Sequence, residues 1–388
     1  MSMQKYRSES TGVDDHRSSQ GTVVQYSDSD SRGEELSEHE ATALAYSASR
    51  IAALKGYSYA GEYDPARSYD GPVYFVPRDT LIGIETARHL GIRTEHSLFG
   101  GVVPYPFVAT KTITHPLVDP QAVATVGWSV ALAERLKKSV LFGFSAFTRA
   151  DVRRAGARVL ERGPARLKPA RGIGGRGQVV VRSASELEAV ADSLDAAELW
   201  RYGIVIEQNL NDVSTYSVGQ VRVADLLATY CGTQQLTTDN HGAEVYGGSD
   251  LLVVRGDYGA LLRLELPSPI RTAIGHACAY DEAAFGEFPA LIASRRNYDV
   301  VLGLDDDGRQ CSGVLEQSWR IGGATPAEVA ALEHFHADQA SGAVRATCTE
   351  AYGKIEPPPG ARVHFRGSDD LVGPITKYTV VEAYGDAR

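Results

Sequence analysis

A small α/β domain followed by two α+β lobes is the fold class this sequence predicts, and three observations carry it. An apolar β-type run at 73–76 passes through a Pro77/Asp79 turn into a helical pattern, the opening unit of an α/β domain. Near the middle, Lys168-Pro169-Ala170-Arg171-Gly172-Ile173-Gly174-Gly175-Arg176-Gly177 joins a short apolar stretch to the β-branched run 178–182, with helical patterns on either side. Beyond Leu210, strand-like runs dominate and two helices interrupt them.

The elements follow in order. Residues 1–35 are rich in Ser, Asp, Gln and Arg, with few apolar anchors, and read as a disordered polar tail. Ser37 and Glu40 form a capping box ahead of a helix whose inner face is Leu44, Ala48, Ile51 and Leu54, and Gly56 ends it. The helix after the 73–76 strand carries Leu81, Ile84 and Leu90 and stops at Gly91. Residues 99–128 are rich in Gly and Pro and read as loop, and Val130, Leu132 and Leu136 mark the next helix. Thr148 and Asp151 box the start of a helix with Val152, Ala155 and Val159 inside. Ser183 and Glu186 do the same for one carrying Leu187, Val190 and Leu194, which leads to a strand at 204–207. Further strands are expected at 217–223, 251–255, 261–266 and 313–316, with helices at 270–285 and from Thr325, where Pro326 stands in the first turn and Glu328 completes a capping box. The expected division is a tail at 1–35, an N-terminal domain at 36–140, a small lobe at 141–206 and a large lobe at 207–388.

Bulk properties exclude several classes. With 388 residues, 43% of them hydrophobic, the chain can bury a sizeable core. A net charge of −10 argues against nucleic acid as partner. The four cysteines are scattered without a CxxC pair, so neither a zinc knuckle nor a disulfide framework is indicated. The sequence shows neither a membrane-length apolar run nor a signal-peptide core at its start, and a reducing cytoplasm is the expected compartment.

Two segments carry chemistry. The glycine-rich hairpin lets backbone N–H groups approach phosphates without Cβ interference, while Lys168 supplies a point charge on a flexible stem. It is not a Walker loop, because no Gly-Lys-Ser/Thr follows and the segment leads into a strand. Further on, Asn297-Tyr298-Asp299 and Glu316-Gln317-Ser318-Trp319-Arg320 flank an acidic Asp305-Asp306-Asp307-Gly308 turn. A hairpin there sets Asp299 beside Glu316, two hard oxygen donors that suit magnesium shared with nucleotide phosphates. Arg320 is placed to hold a transferring phosphoryl group. Asp305 to Asp307 read as turn residues.

Lys168 with its hairpin, Glu207-Gln208-Asn209-Leu210, Asp299, and Glu316 through Gly323 together resemble the ATP-grasp superfamily in motif order. The whole chain also resembles an uncharacterised bacterial family sometimes labelled biotin carboxylase-like. The resemblance implies an ATP-grasp-like fold, with a pre-ATP-grasp domain ahead of two α+β lobes that hold ATP between them. It implies that Lys168 contacts the α- and β-phosphates, that Gly172, Gly174, Gly175 and Gly177 form a lid, and that Glu207, Gln208 and Leu210 meet adenine at the hinge. Asp299, Glu316 and Ser318 would bind Mg2+, and Arg320 would stabilise the acyl-phosphate region. Ser318 stands where relatives usually carry asparagine, no clear ribose-binding acid follows the hinge, and the second phosphate lysine is sought at Lys137 or Lys138. Arg295, Arg296 and His241 are candidates for the substrate. Lys111 and His115, in the proline-rich loop, receive no role.

The implied activity is an ATP- and Mg2+-dependent ligase that activates a carboxylate as an acyl phosphate for capture by an amine or similar nucleophile, acting on small molecules. Homodimerisation follows by analogy with relatives. Two alternatives stay open: a degenerate nucleotide-binding or regulatory protein, which the departures at Ser318 and the ribose acid suggest, and an ATP-grasp-type kinase.

Overall fold

The computed structural model describes residues 21–27, 36–172 and 177–384. Eight strands, each antiparallel to its neighbours, form the main sheet in the order Gln310–Ser318, Arg295–Leu304, Asn211–Val223, Leu226–Thr238, Glu244–Arg255, Ala343–Tyr352, Gly373–Ala383, Arg362–Asp369. Helix Ser268–Glu287 covers one face at the Asp299 end, and helix Thr325–Ala337 packs on the other. Side-chain alternation sorts the strands between these helices. On Arg295–Leu304, Arg296 and Tyr298 reach Asp281 of the first helix, whereas Arg295 reaches Glu328 of the second.

The small lobe has its own four-stranded antiparallel sheet, ordered Gly143–Ala146, Ile204–Gln208, Ala165–Pro169, Val179–Val181. Helices Arg149–Leu160 and Ala184–Ser193 bury Val152, Ala155, Val159, Leu187 and Ala191 against it. Both expected caps form, since Thr148 accepts from the Asp151 N–H and Ser183 from the Glu186 N–H.

The N-terminal domain corrects the expected tail. Thr22–Tyr26 is the central strand of a parallel three-stranded sheet, between Ser58–Glu62 and Val73–Pro77. Val23 and Val24 are fully buried. A five-residue Thr-Val-Val-Gln-Tyr run was outweighed by its polar flanks, although a central strand needs no more length than that. The rest of the expected tail lies outside the described residues. Helix Glu38–Lys55 forms as expected, with the Glu40 carboxylate accepting from the Ser37 N–H at 3.2 Å and Gly56 in the left-handed conformation at φ 67°. Its inner face joins Val23, Tyr74 and Val76 in one core with Val221, Leu251, Leu332 and Phe335, so the N-terminal domain is fused to the large lobe.

Three other expectations change. Leu81–Ile82 is a short strand, and the helix behind it spans only Ile84–His89. The 261–266 run is not a strand. Asp257 accepts from the Ala260 N–H at 3.0 Å and starts helix Tyr258–Leu262 instead. Glu328 does not complete a capping box, because its carboxylate is engaged by Arg295. No helix among the described residues is long and apolar enough to cross a membrane.

Because Val24 sits in the middle of the parallel sheet, Val24→Asp places an unpaired carboxylate in the core. We expect it to cost about 3 kcal/mol or more in urea unfolding, with a matching fall in Tm.

Candidate nucleotide and metal site

Three separate stretches of chain meet at the edge strand Gln310–Ser318. Glu316 lies directly across from Asp299 in the ladder, so the expected carboxylate pair forms. From the small lobe, the Lys168 ammonium donates to the Leu315 carbonyl at 3.2 Å and to Glu207 Oε1 at 3.0 Å. From the proline-rich loop, Lys111 Nζ lies 2.6 Å from Glu316 Oε2 and donates to the Gly172 carbonyl at 2.8 Å. The lysine-bearing hairpin and the carboxylates therefore share one site.

Asp299 is held with care. Asn297 Nδ2, Gln234 Nε2 and Ser217 Oγ all donate to its Oδ1, at 3.1, 3.0 and 3.4 Å. That leaves Oδ2 for another partner. Burial first, and then the Glu316 charge, push the Asp299 pKa above its ordinary value against the pull of those three donors. Glu316 goes the other way. Burial raises it, but the Lys111 ammonium, helped by Lys168 and Arg320, holds it below the usual carboxylate range. Among the described residues no group of three His, Cys, Asp or Glu side chains gathers around a metal position. Two facing carboxylates of hard oxygen fit magnesium nonetheless, since that ion takes few protein ligands and fills its shell with phosphate oxygens and water. Ser318 follows Glu316 on the same face, directly across from Asn297.

A second lysine beside the carboxylates is Lys111, not the candidates Lys137 and Lys138. Lys137 and Lys138 are exposed at the end of helix Val130–Leu136. Lys111 instead sits in a buried 3-10 turn, Lys111–Thr114. Gln317 Nε2 donates to the carbonyls of Val108 and Thr110, at 2.9 and 2.7 Å, and so ties this turn to the strand that carries Glu316. A buried lysine in a segment with no helical or strand period had only its charge as a signal. Asn297 and Gln234 were missed as well, although Asn297 is two residues from Asp299 and shares its face of the strand.

Glu207 and His115 form the floor behind Lys168. Both are fully buried, and His115 Nε2 lies 3.5 Å from Glu207 Oε2 without hydrogen-bond geometry. Burial lowers the His115 pKa to about 4, with Glu207 opposing and Lys168 assisting. The Gln208 N–H donates to the Phe142 carbonyl and the Asn209 N–H to the Pro164 carbonyl, tying this segment to the small lobe, and Leu210 packs with Leu141 and Val301. Gly172 closes a turn on Pro169, and Gly177 takes φ 73°, where a side chain would be strained. Gly174 and Gly175 lie outside the described residues.

Arg320 faces the N-terminal domain. Its Nε lies 3.8 Å from Asp79 Oδ1, and its Nη1 donates to the Ile321 carbonyl. Arg295 does not present its guanidinium to a substrate. Its fork is bound to both oxygens of Glu328, each at 2.7 Å, and it also donates to the Ser318 and Arg320 carbonyls. Tyr230 reaches Glu328 and Asn297 through the space above Gly219, where a Cβ would lie 2.4 Å from its hydroxyl oxygen. Arg296 points to the opposite face of the sheet and pairs with Asp281 at 3.0 Å. His241 lies on an exposed turn, its ring 3.2 Å from the Leu371 carbonyl. Alternation along the strand separates Arg295 from Arg296, and burial takes Arg295 into an ion pair.

Comparison with known proteins agrees with this architecture. The family model described as "Protein of unknown function (DUF3182)" matches residues 26–379. The chain belongs to that family. No curated protein matches. Among solved structures, phosphoribosylamine–glycine ligase from Thermotoga maritima is 15% identical, with a TM-score of 0.50, over 93% of this chain and 93% of that one. D-alanyl-alanine synthetase A from Vibrio cholerae is 12% identical over 81% and 94%, with a TM-score of 0.49. The biotin carboxylase complex with β,γ-ATP from Campylobacter jejuni is 12% identical over 94% and 88%, with a TM-score of 0.47. This member of the family has the ATP-grasp fold.

Two measurements check the site's framework. Glu328→Gln leaves Arg295 buried without its counter-charge and is expected to cost about 3–5 kcal/mol, whereas Arg295→Met with Glu328→Leu recovers most of that in the same unfolding assay. His115 has a folded pKa below its ordinary 6.5, so its contribution to stability is complete above pH 6.5 and is lost as pH falls toward 4. Wild type is expected to lose roughly 2 kcal/mol more than His115→Gln between pH 7 and pH 4.5.

Proposed function

We propose that this protein is an ATP- and magnesium-dependent ligase that activates a substrate carboxylate as an acyl phosphate for capture by an amine or similar nucleophile. One observation carries the reading: Lys168 and Lys111, from two different stretches, converge on the strand of Glu316, with Asp299 facing it. Cations above and carboxylates below are the charge pattern a triphosphate needs. The fold neighbour from Thermotoga maritima is by its name a ligase, which accords with that chemistry.

In this reading the glycine hairpin, with Gly172, Gly174, Gly175 and Gly177, covers the phosphates, and Lys168 leaves Glu207 for the α- and β-phosphates. Glu207, Gln208 and Leu210 place the adenine at the hinge. A divalent ion, when bound, would neutralise phosphate charge, and Asp299, Glu316 and Ser318 would hold it. Asn297, Gln234 and Ser217 orient the free oxygen of Asp299 toward that position. Arg320, at the meeting of the large lobe with the Asp79 loop, balances charge on the γ-phosphoryl group as the carboxylate attacks. Closing the hairpin excludes water, which would otherwise hydrolyse the acyl phosphate. Lys111 supplies the second lysine, and Asn297, opposite Ser318, braces Asp299 with its amide; of the two departures that favour a degenerate binder, the ribose acid still stands.

ADP release across a panel of carboxylic acids and amines tests this proposal. Turnover that requires acid, amine and magnesium together is expected, with Lys168→Met and Glu316→Gln each lowering kcat/KM at least about a hundredfold. Uptake of ATP without turnover anywhere on the panel, and with Glu316→Gln changing affinity alone, would assign the protein to the binding-only class.

A further inference from the structure

Lys111 is placed where its charge competes with the ion that the carboxylates are built to hold. Its ammonium lies 2.6 Å from Glu316 Oε2, and only 3% of its side chain is exposed. It cannot swing away freely. Gln317 fixes the Val108 and Thr110 carbonyls just ahead of its turn, and the Gly172 carbonyl accepts a second hydrogen bond from Nζ. Magnesium bound to the same carboxylate would approach its oxygen to roughly 2.0–2.1 Å. A divalent ion and an ammonium that close together repel strongly where water is excluded.

The same contact answers a problem of the protein without nucleotide. Asp299 and Glu316 are like charges in adjacent strands, and an uncompensated pair of this kind destabilises the fold. Lys111 relieves it. A polyphosphate entering the cleft offers Lys111 a richer anionic partner, and the carboxylates are then free to take an ion.

Resting on the nucleotide reading above, we infer that Lys111 is an electrostatic placeholder: its ammonium occupies the cation position of the nucleotide-free site, so that the protein refuses free divalent ions and accepts them with the nucleotide. Lys111 thereby determines ligand class, selecting the metal–nucleotide complex over the metal alone. Its bond to the Gly172 carbonyl makes the same exchange felt at the root of the glycine hairpin.

The test titrates Mn2+ into the whole protein, reading free ion by electron paramagnetic resonance, first with no nucleotide present. Lys111→Met is expected to bind Mn2+ at least tenfold more tightly than wild type, and Lys111→Arg, which keeps the charge, is expected to stay as weak as wild type. Adding Glu316→Gln to Lys111→Met must abolish the gain. With a non-hydrolysable ATP analogue present the order reverses, and wild type holds the ion more tightly. Equal Mn2+ affinity for wild type and Lys111→Met without nucleotide overturns the inference, as does a gain that survives Glu316→Gln. Should Lys111→Met fail to fold, Lys111→Gln removes the charge with less disturbance and decides on the same criterion. Failure of all proteins to take up the analogue would count against the nucleotide reading alone, because the nucleotide-free comparison stands apart from it.

Discussion

Two carboxylates facing each other across neighbouring strands, Asp299 and Glu316, are the constraint around which this molecule is arranged. Like charges so placed repel, and partial burial strengthens the repulsion. The surroundings answer residue by residue. Three neutral donors pin one oxygen of Asp299, and Lys111 pairs with Glu316, with Lys168 and Arg320 near enough to lower its pKa further. Ser217, Gln234, Lys111 and Lys168 come from stretches remote from either carboxylate, so the site exists only when the sheet, the small lobe and the proline-rich loop are all in place.

The packing explains how such distant parts stay in register. One core runs from the parallel sheet of the N-terminal domain through helix Thr325–Ala337 to the main sheet. At its edge the turn of Trp319 and Arg320 is gripped from both sides. Thr80 donates to the Trp319 carbonyl, Gly101 lets the backbone pass within reach of Trp319, and Arg295 holds the Ser318 and Arg320 carbonyls from within. The small lobe shares its core with Val118 and Ala122 of the proline-rich stretch, and Ser145, Asp151 and Arg158 bind that stretch as well, while Lys168 reaches the edge strand.

Much of this was legible in the sequence, for identifiable reasons. Caps at Ser37, Thr148 and Ser183 are local signals, and each starts the helix it announces. The pairing of Asp299 with Glu316 followed from two apolar runs joined by an acidic turn, which leaves a hairpin few other registers. Thr22–Tyr26 was hidden because composition averaged over 35 residues erases a five-residue strand. Lys111 was hidden for a deeper reason. Its segment has no periodicity, and its partners Glu316 and Gly172 are remote in sequence, so only tertiary structure reveals that a buried ammonium belongs there. Arg295 shows the reverse case. Its charge invited a ligand, and the fold used it as a brace.

Crystals grown with a non-hydrolysable ATP analogue and Mn2+ test the central claim most directly, since the anomalous signal of manganese locates the ion independently of the nucleotide density. The account predicts a peak between Asp299 Oδ2 and Glu316, with the terminal phosphates beside it and both Lys111 and Lys168 turned toward them. A peak elsewhere, or a triphosphate bound away from these two carboxylates, would contradict it.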